Sequence, residues 1–292
     1  PDAATDPRDR LGVEFGACRF LWERGVRDVP EPIAADTERR VGFFGFVQGT
    51  RPTRGAISRA DVRRVADFVL ALQRLRDTEE AAALPAASEA CFSTAEHIDV
   101  LRRRIARLHE VLPTEGEARA FLESALVPCL DSAARVAGPR SGLVPREERI
   151  LSPSDFGFHN CLRRPDGGVT LVDLECFGWD DPAKLLSDAF LQPDLPVPPQ
   201  HRRVFFGWVF DGLGRPPLLR ERLARLYPLL AIKWSLILLN AFLPEFRERR
   251  RSLGYVEDEG ILPAKQLAKA RASLHAARAA LDAGGIPGGV TA

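Results

Sequence analysis

Apolar positions along the chain recur mainly at helical spacing, with two short interruptions of strand character. Leu11, Phe15, Cys18, Leu21 and Trp22 step by threes and fours, which predicts a helix over 6–24 with one apolar stripe. Asp6 suits its N-cap, Pro7 its first position and Gly25 its end. Residues 33–48 alternate loosely into Arg40-Val41-Gly42-Phe43-Phe44-Gly45-Phe46-Val47 and read as two strands, broken by Gln48-Gly49-Thr50-Arg51-Pro52. From Ser58 the period is helical again: Val62, Val65, Ala66, Phe68, Val69, Leu72 and Leu75 share a face over 58–77, with Ser58 and Asp61 as cap and first-turn acid. An Ala- and Glu-rich stretch, 78–93, reads as a loose connector, and amphipathic helices follow over 94–112 and 116–136.

A second strand-like region spans 149–173. Pro165, Asp166, Gly167 and Gly168 supply the backbone shapes of a tight turn. The β-branched run Val169-Thr170-Leu171-Val172 is expected to pair with Arg149-Ile150-Leu151 across it. Asp181-Pro182 then opens a helix over 183–191, and helices are expected over 200–213, 217–226 and 263–283. The most apolar run, Leu226 to Leu243, approaches membrane-span length. Pro228, Lys233, Ser235 and Asn240 interrupt it, so it reads as a buried core helix.

Composition narrows the classes. The 292 residues carry a formal net charge of +1, which gives no field for nucleic acid or an anionic membrane. The runs Arg102-Arg103-Arg104 and Arg249-Arg250-Arg251 lie in helices that also carry acids and read as solvated faces. Five scattered cysteines lack any metal-site spacing, which argues for reduced thiols in a cytoplasmic protein without zinc. Methionine is absent even at position 1, so the sequence is expected to have lost its start.

The chemistry concentrates in 149–182. Asp155 is followed five positions later by Asn160, and Asp173 closes the next strand. A hard divalent cation takes one or two carboxylates plus phosphate oxygens, while a separate carboxylate can orient an attacking hydroxyl and take its proton. Asp166 and Asp181 have simpler uses as turn and cap residues, and His159 as a hydrogen-bonded structural residue. Two carboxylates acting as a hydrolase pair, and a helical scaffold without chemistry, stand as competing readings.

The spacing D-x-x-x-x-N with a later Asp, then Asp173-Leu174-Glu175 and Gly178-Trp179-Asp180-Asp181-Pro182, resembles the aminoglycoside phosphotransferase and choline kinase group. The resemblance covers about forty residues, by the reading of these motifs. It departs from the group at Pro153, where such loops often carry a His, and at Leu185, where an Asp is usual. It implies an α+β, bilobal, protein-kinase-like fold, with 1–49 a partial N-lobe and 50–292 a mainly helical C-lobe. The catalytic loop would be 152–160, the metal-binding strand end 169–175, and Gln48–Pro52 the hinge. Asp155 would be the catalytic base, and Asn160 and Asp173 would hold Mg²⁺ on ATP. Glu14 would be the helix glutamate that pairs a phosphate-gripping lysine, and Glu175 and Asp180 would line the acceptor side. The only lysines are Lys184, Lys233, Lys265 and Lys269, so the strands with that lysine are expected upstream of Pro1. The implied activity is transfer of the γ-phosphoryl group to a hydroxyl of a sugar, amino sugar or amino alcohol. A nucleotide-binding, catalytically silent relative is the alternative.

Overall fold

The computed structural model describes residues 9–138, 143–252, 254–255, 261–287 and 290. In chain order the elements are α1 (Arg10–Glu23), β1 (Pro32–Asp36), β2 (Val41–Phe44), α2 (Arg59–Gln73), α3 (Glu79–Ala82), α4 (Thr94–Val111), α5 (Glu117–Phe121) and α6 (Val127–Ala137). There follow β3 (Ile150–Ser152), β4 (Cys161–Arg163), β5 (Val169–Leu171), β6 (Gly178–Asp180), α7 (Pro182–Leu191), α8 (Arg202–Gly212), α9 (Leu219–Leu238), α10 (Pro244–Ser252) and α11 (Ile261–Asp282). Two compact units emerge: one is built essentially from Asp9–Phe92 and Val144–Leu219, the other from Ser93–Leu143 and Arg220–Gly288.

The first unit contains every strand found among the described residues. Asp9 caps α1 by accepting from the Gly12 amide at 2.9 Å. The helix thus starts later than Asp6 and Pro7 suggest, and those two residues lie outside the described ones. The β1–β2 ribbon is antiparallel, with Asp36 opposite Val41, and the Phe15 ring lies 5.8 Å from that of Phe44. On the ribbon, Ile33, Val41 and Phe43 are exposed, as is Phe46 just beyond it. Helix α2 begins with a full capping box between Ser58 and Asp61. Its apolar face, Val62, Val65, Phe68, Val69 and Leu72, is buried.

Strand pairing corrects the sequence reading. The turn over 163–168 closes a hairpin of β4 with β5, Cys161 opposite Leu171, and not of residues 149–151 with 169–172. Strand β3 pairs instead with β6, Leu151 opposite Trp179. The stretch 78–93 is no loose connector either: Pro85 O accepts from the Trp179 amide at 2.9 Å, and Ala87 N donates to Trp179 O at 2.8 Å. Gly178 permits this crossing, since a Cβ there would fall 2.5 Å from Pro85 O. Behind the strands, α7 is buried throughout, and Phe156, Phe190 and Phe205 form an aromatic cluster with ring centroids 6.0–6.2 Å apart.

The second unit is helical. Helices α4, α6, α9 and α11 bury Leu101, Leu108, Leu130, Leu230, Leu236, Leu267 and Leu274. Between α5 and α6 one turn over Leu122–Leu126 is π-helical, next to Pro128, whose nitrogen has no proton for the ladder. The segments expected over 217–226 and 226–243 form one helix to Leu238, with Pro228 inside it. By length and composition Leu219–Phe242 would suffice to cross a membrane, and 72% of its most apolar window is buried within the protein. Lys233, on this helix, is buried too.

Candidate active site

The loop expected to be catalytic, 152–160, leaves the end of β3 at Ser152 and joins β4 at Cys161. Phe156 and Phe158 anchor it: both are buried, and Phe158 N donates to Leu195 O at 3.1 Å. Burying the two phenyl rings leaves Asp155 and His159 only partly covered. Asn160 closes a short 3₁₀ turn over Phe158–Asn160. Its Nδ2 donates to the Asp155 carbonyl at 3.1 Å and sits 3.5 Å from the Asp155 carboxylate. The amide therefore keeps Oδ1 as an acceptor, the kind of donor atom a hard cation takes.

The β4–β5 register delivers the third residue. With Cys161 opposite Leu171, the next rung is Asn160 beside Val172, and Val172 N donates to Asn160 O at 2.9 Å. Asp173 follows at the exit of that strand with φ 64°, a left-handed backbone that Asp tolerates better than most residues. Asp155, Asn160 and Asp173 thus meet at one end of a two-stranded ribbon.

Charge is concentrated around them. Desolvation and the carboxylates of Glu175 and Asp155 push Asp173 above the usual carboxylate range, against His159 and Arg10. Glu14 is raised as well, first by burial and then by Asp173 and Glu175, while the backbone amides of Leu174 and Asp173 pull the other way. Helix α1 therefore places Glu14 against the turn that carries Asp173. Glu175 pairs with Arg10, one helical turn before Glu14. Burial also works against the ionisation of Asp155, but hydrogen bonds from His159 and Asn160 and the Lys184 charge prevail, so its carboxyl falls below the ordinary value. Carboxylates held at different levels in one site are what acid–base and cation chemistry needs.

Asp180 does not line an acceptor site. It is fully buried and takes a hydrogen bond from Lys184 at 2.8 Å. Asp181 caps α7 by accepting from the Ala183 amide, and Asp166 accepts from the Gly168 amide, as expected of cap and turn residues. Three participants escaped the sequence reading: Arg10, Ser154 and Lys184. The signal for Lys184 was the spacing Asp180, Lys184, Asp188, an acid one turn to either side. Among the described residues no three His, Cys, Asp or Glu side chains are grouped so as to hold a metal by themselves. A site of one amide, one carboxylate and phosphate oxygens does not need such a trio.

Solved structures decide the fold. A spectinomycin phosphotransferase in complex with ADP and spectinomycin matches with a TM-score of 0.59 at 10% identity, covering 91% of this chain and 82% of the other. The fold is that of the small-molecule kinases. An ethanolamine kinase of Plasmodium vivax matches at TM-score 0.60 and 12% identity over 95% of this chain and 73% of its own. The choline kinase LicA of Streptococcus pneumoniae matches at 0.56 and 17% over 94% and 82%. No protein-family profile and no curated protein matches the chain by sequence. The kinase-like fold, mixed α+β with small sheets and mostly helix, accordingly persists here at identities where sequence comparison is silent.

Proposed function

We propose that the chain is an ATP- and magnesium-dependent phosphotransferase that moves a γ-phosphoryl group to a hydroxyl of a small molecule. The observation that carries this reading is the rung between Val172 N and Asn160 O, 2.9 Å long, which sets Asn160 beside Asp173 while the Asn160 amide grips the Asp155 carbonyl. The small-molecule kinase fold supports it. Asp155, ionised below the ordinary carboxylate range, orients the acceptor hydroxyl and takes its proton. Asn160 Oδ1 and the Asp173 carboxylate are the donors that would hold magnesium, and the bound ion would offset charge on the transferred phosphoryl group. Glu14 and Glu175 keep the site acidic, and Arg10 limits their repulsion.

Within this reading, residues 1–49 would be a partial N-lobe, 50–292 the C-lobe and Gln48–Pro52 the nucleotide hinge. At that hinge Thr50 N donates to Arg163 O at 3.0 Å. An acidic rim favours a cationic or polyhydroxylated acceptor such as an amino sugar or amino alcohol. The five cysteines are all free thiols, which suits a reducing, cytoplasmic setting.

Replacing the base tests the mechanism. Asp155→Asn is expected to lower turnover by about 10²–10⁴ in an ADP-release screen of sugars and amino alcohols. Unchanged turnover in that variant would remove Asp155 from the mechanism. Failure of the native protein to release ADP with any acceptor would favour a silent nucleotide binder.

A further inference from the structure

Behind the catalytic loop lies a buried set of charges that the mechanism leaves unused. Lys184, in the first turn of α7, is 1% exposed. Its Nζ donates to Asp180 Oδ2 at 2.8 Å, lies 3.1 Å from Asp188 Oδ2, and donates to Ser154 Oγ at 2.9 Å. An ammonium has three protons, and here each has a partner. Burial works against the Lys184 charge, but the two flanking carboxylates prevail and hold it protonated. Burying a cluster of one ammonium and two carboxyls is costlier than packing an apolar helix at the same place. One carboxylate suffices to balance the lysine, and burial together with Asp188 pushes the Asp180 carboxyl above the usual range, against the Lys184 charge. The third proton goes to the residue immediately before Asp155.

Ser154 is constrained from every side. Its backbone is left-handed, φ 63°, a conformation that L residues other than Asn and Asp rarely adopt. Its amide donates to Ser152 Oγ at 3.0 Å, and its hydroxyl donates to Ser88 O at 3.0 Å while accepting from Lys184. The next amide, that of Asp155, turns back to Pro153 O at 2.8 Å. Asp155 follows directly on this strained residue, and its carboxylate is met from the other side by His159 and Asn160.

We propose that Lys184 is a positioning residue: held by Asp180 and Asp188, its ammonium pins the Ser154 hydroxyl and so fixes the left-handed turn that aims Asp155. What Asp155 then does rests on the phosphotransferase reading; the tether itself does not.

The test uses Ser154→Ala in the full chain, since Lys184→Met would strand two buried carboxylates and fold poorly. Amide hydrogen exchange of peptides covering 152–160 is measured beside ADP release from Mg-ATP with the acceptor that the sugar and amino-alcohol screen selects. Exchange is expected to speed up by about ten-fold or more in 152–160 and not in the β4–β5 hairpin. kcat for ADP release is expected to fall about ten- to hundred-fold, with KM for Mg-ATP within about two-fold. Native exchange rates in the variant overturn the tether. Faster exchange with unchanged kcat overturns the positioning role. A native protein that releases no ADP with any acceptor of the screen sinks the phosphotransferase reading instead, and the exchange data still decide whether the Ser154 hydroxyl, with its bonds to Lys184 and Ser88, orders the loop.

Discussion

His159 Nε2 lies 3.3 Å from Asp155 Oδ1, so the imidazole supplies a donor to the carboxylate proposed to receive the acceptor proton. The other ring nitrogen, Nδ1, is buried without a hydrogen-bond partner, so the ring's one polar contact in the site is with Asp155. Asp155 has its carboxyl below the ordinary value partly through this contact. His159→Ala removes it, and the Asp155 carboxyl then rises toward its usual level. The acid limb of the kcat profile is expected to move to higher pH, and an unmoved limb in that variant would separate His159 from the base. The trio Asp155, Asn160 and Asp173 was legible because the first two sit in one loop and the third ends a run of strand formers. Lys184 was not, because a lysine in a helix is read as solvent-facing unless its partners are counted.

At the scale of elements, the start of α2 and the β4 strand are joined by one bidentate pair. Arg163 Nε and Nη2 reach the two Asp61 oxygens at 2.9 and 2.7 Å, and Asp61 also closes the capping box with Ser58. Burial works against the Asp61 charge, but Arg163 and Ser58 lower its pKa below the ordinary value. Its stabilisation is therefore present above the unfolded pKa, about 3.9, and is lost as pH falls through the lower folded value. Asp61→Ala should cost about 2 kcal/mol at neutral pH in denaturant unfolding, and the gap to the native protein should close in strong acid. A gap that persists there would mean that packing, not charge, accounts for it. The helices were legible from their period: α2 and α7 begin where the caps read from the sequence stand. The pairing of β3 with β6 was not, since three-residue strands offer too few alternating positions to choose a partner. The β5 run looked equally suitable for β3.

For the molecule as a whole, a ligand that binds only the folded state raises stability by mass action. Mg-ATP at a hundred times its dissociation constant should add about 2.7 kcal/mol, a rise of several degrees in thermal midpoint. Without magnesium the rise should shrink; an equal rise with ATP alone would argue against a metal at Asn160 and Asp173. The left-handed backbone of Asp173 has a consequence of its own. A carboxylate is kept there among Glu14, Asp155 and Glu175, on a φ of 64° that asparagine accepts at least as readily. In metal-free buffer at neutral pH, Asp173→Asn sheds the mutual repulsion and should outlast the native protein on heating, even as it loses its use for nucleotide. The durable version of this molecule would then be the idle one, and heat tolerance a poor guide when choosing among its variants.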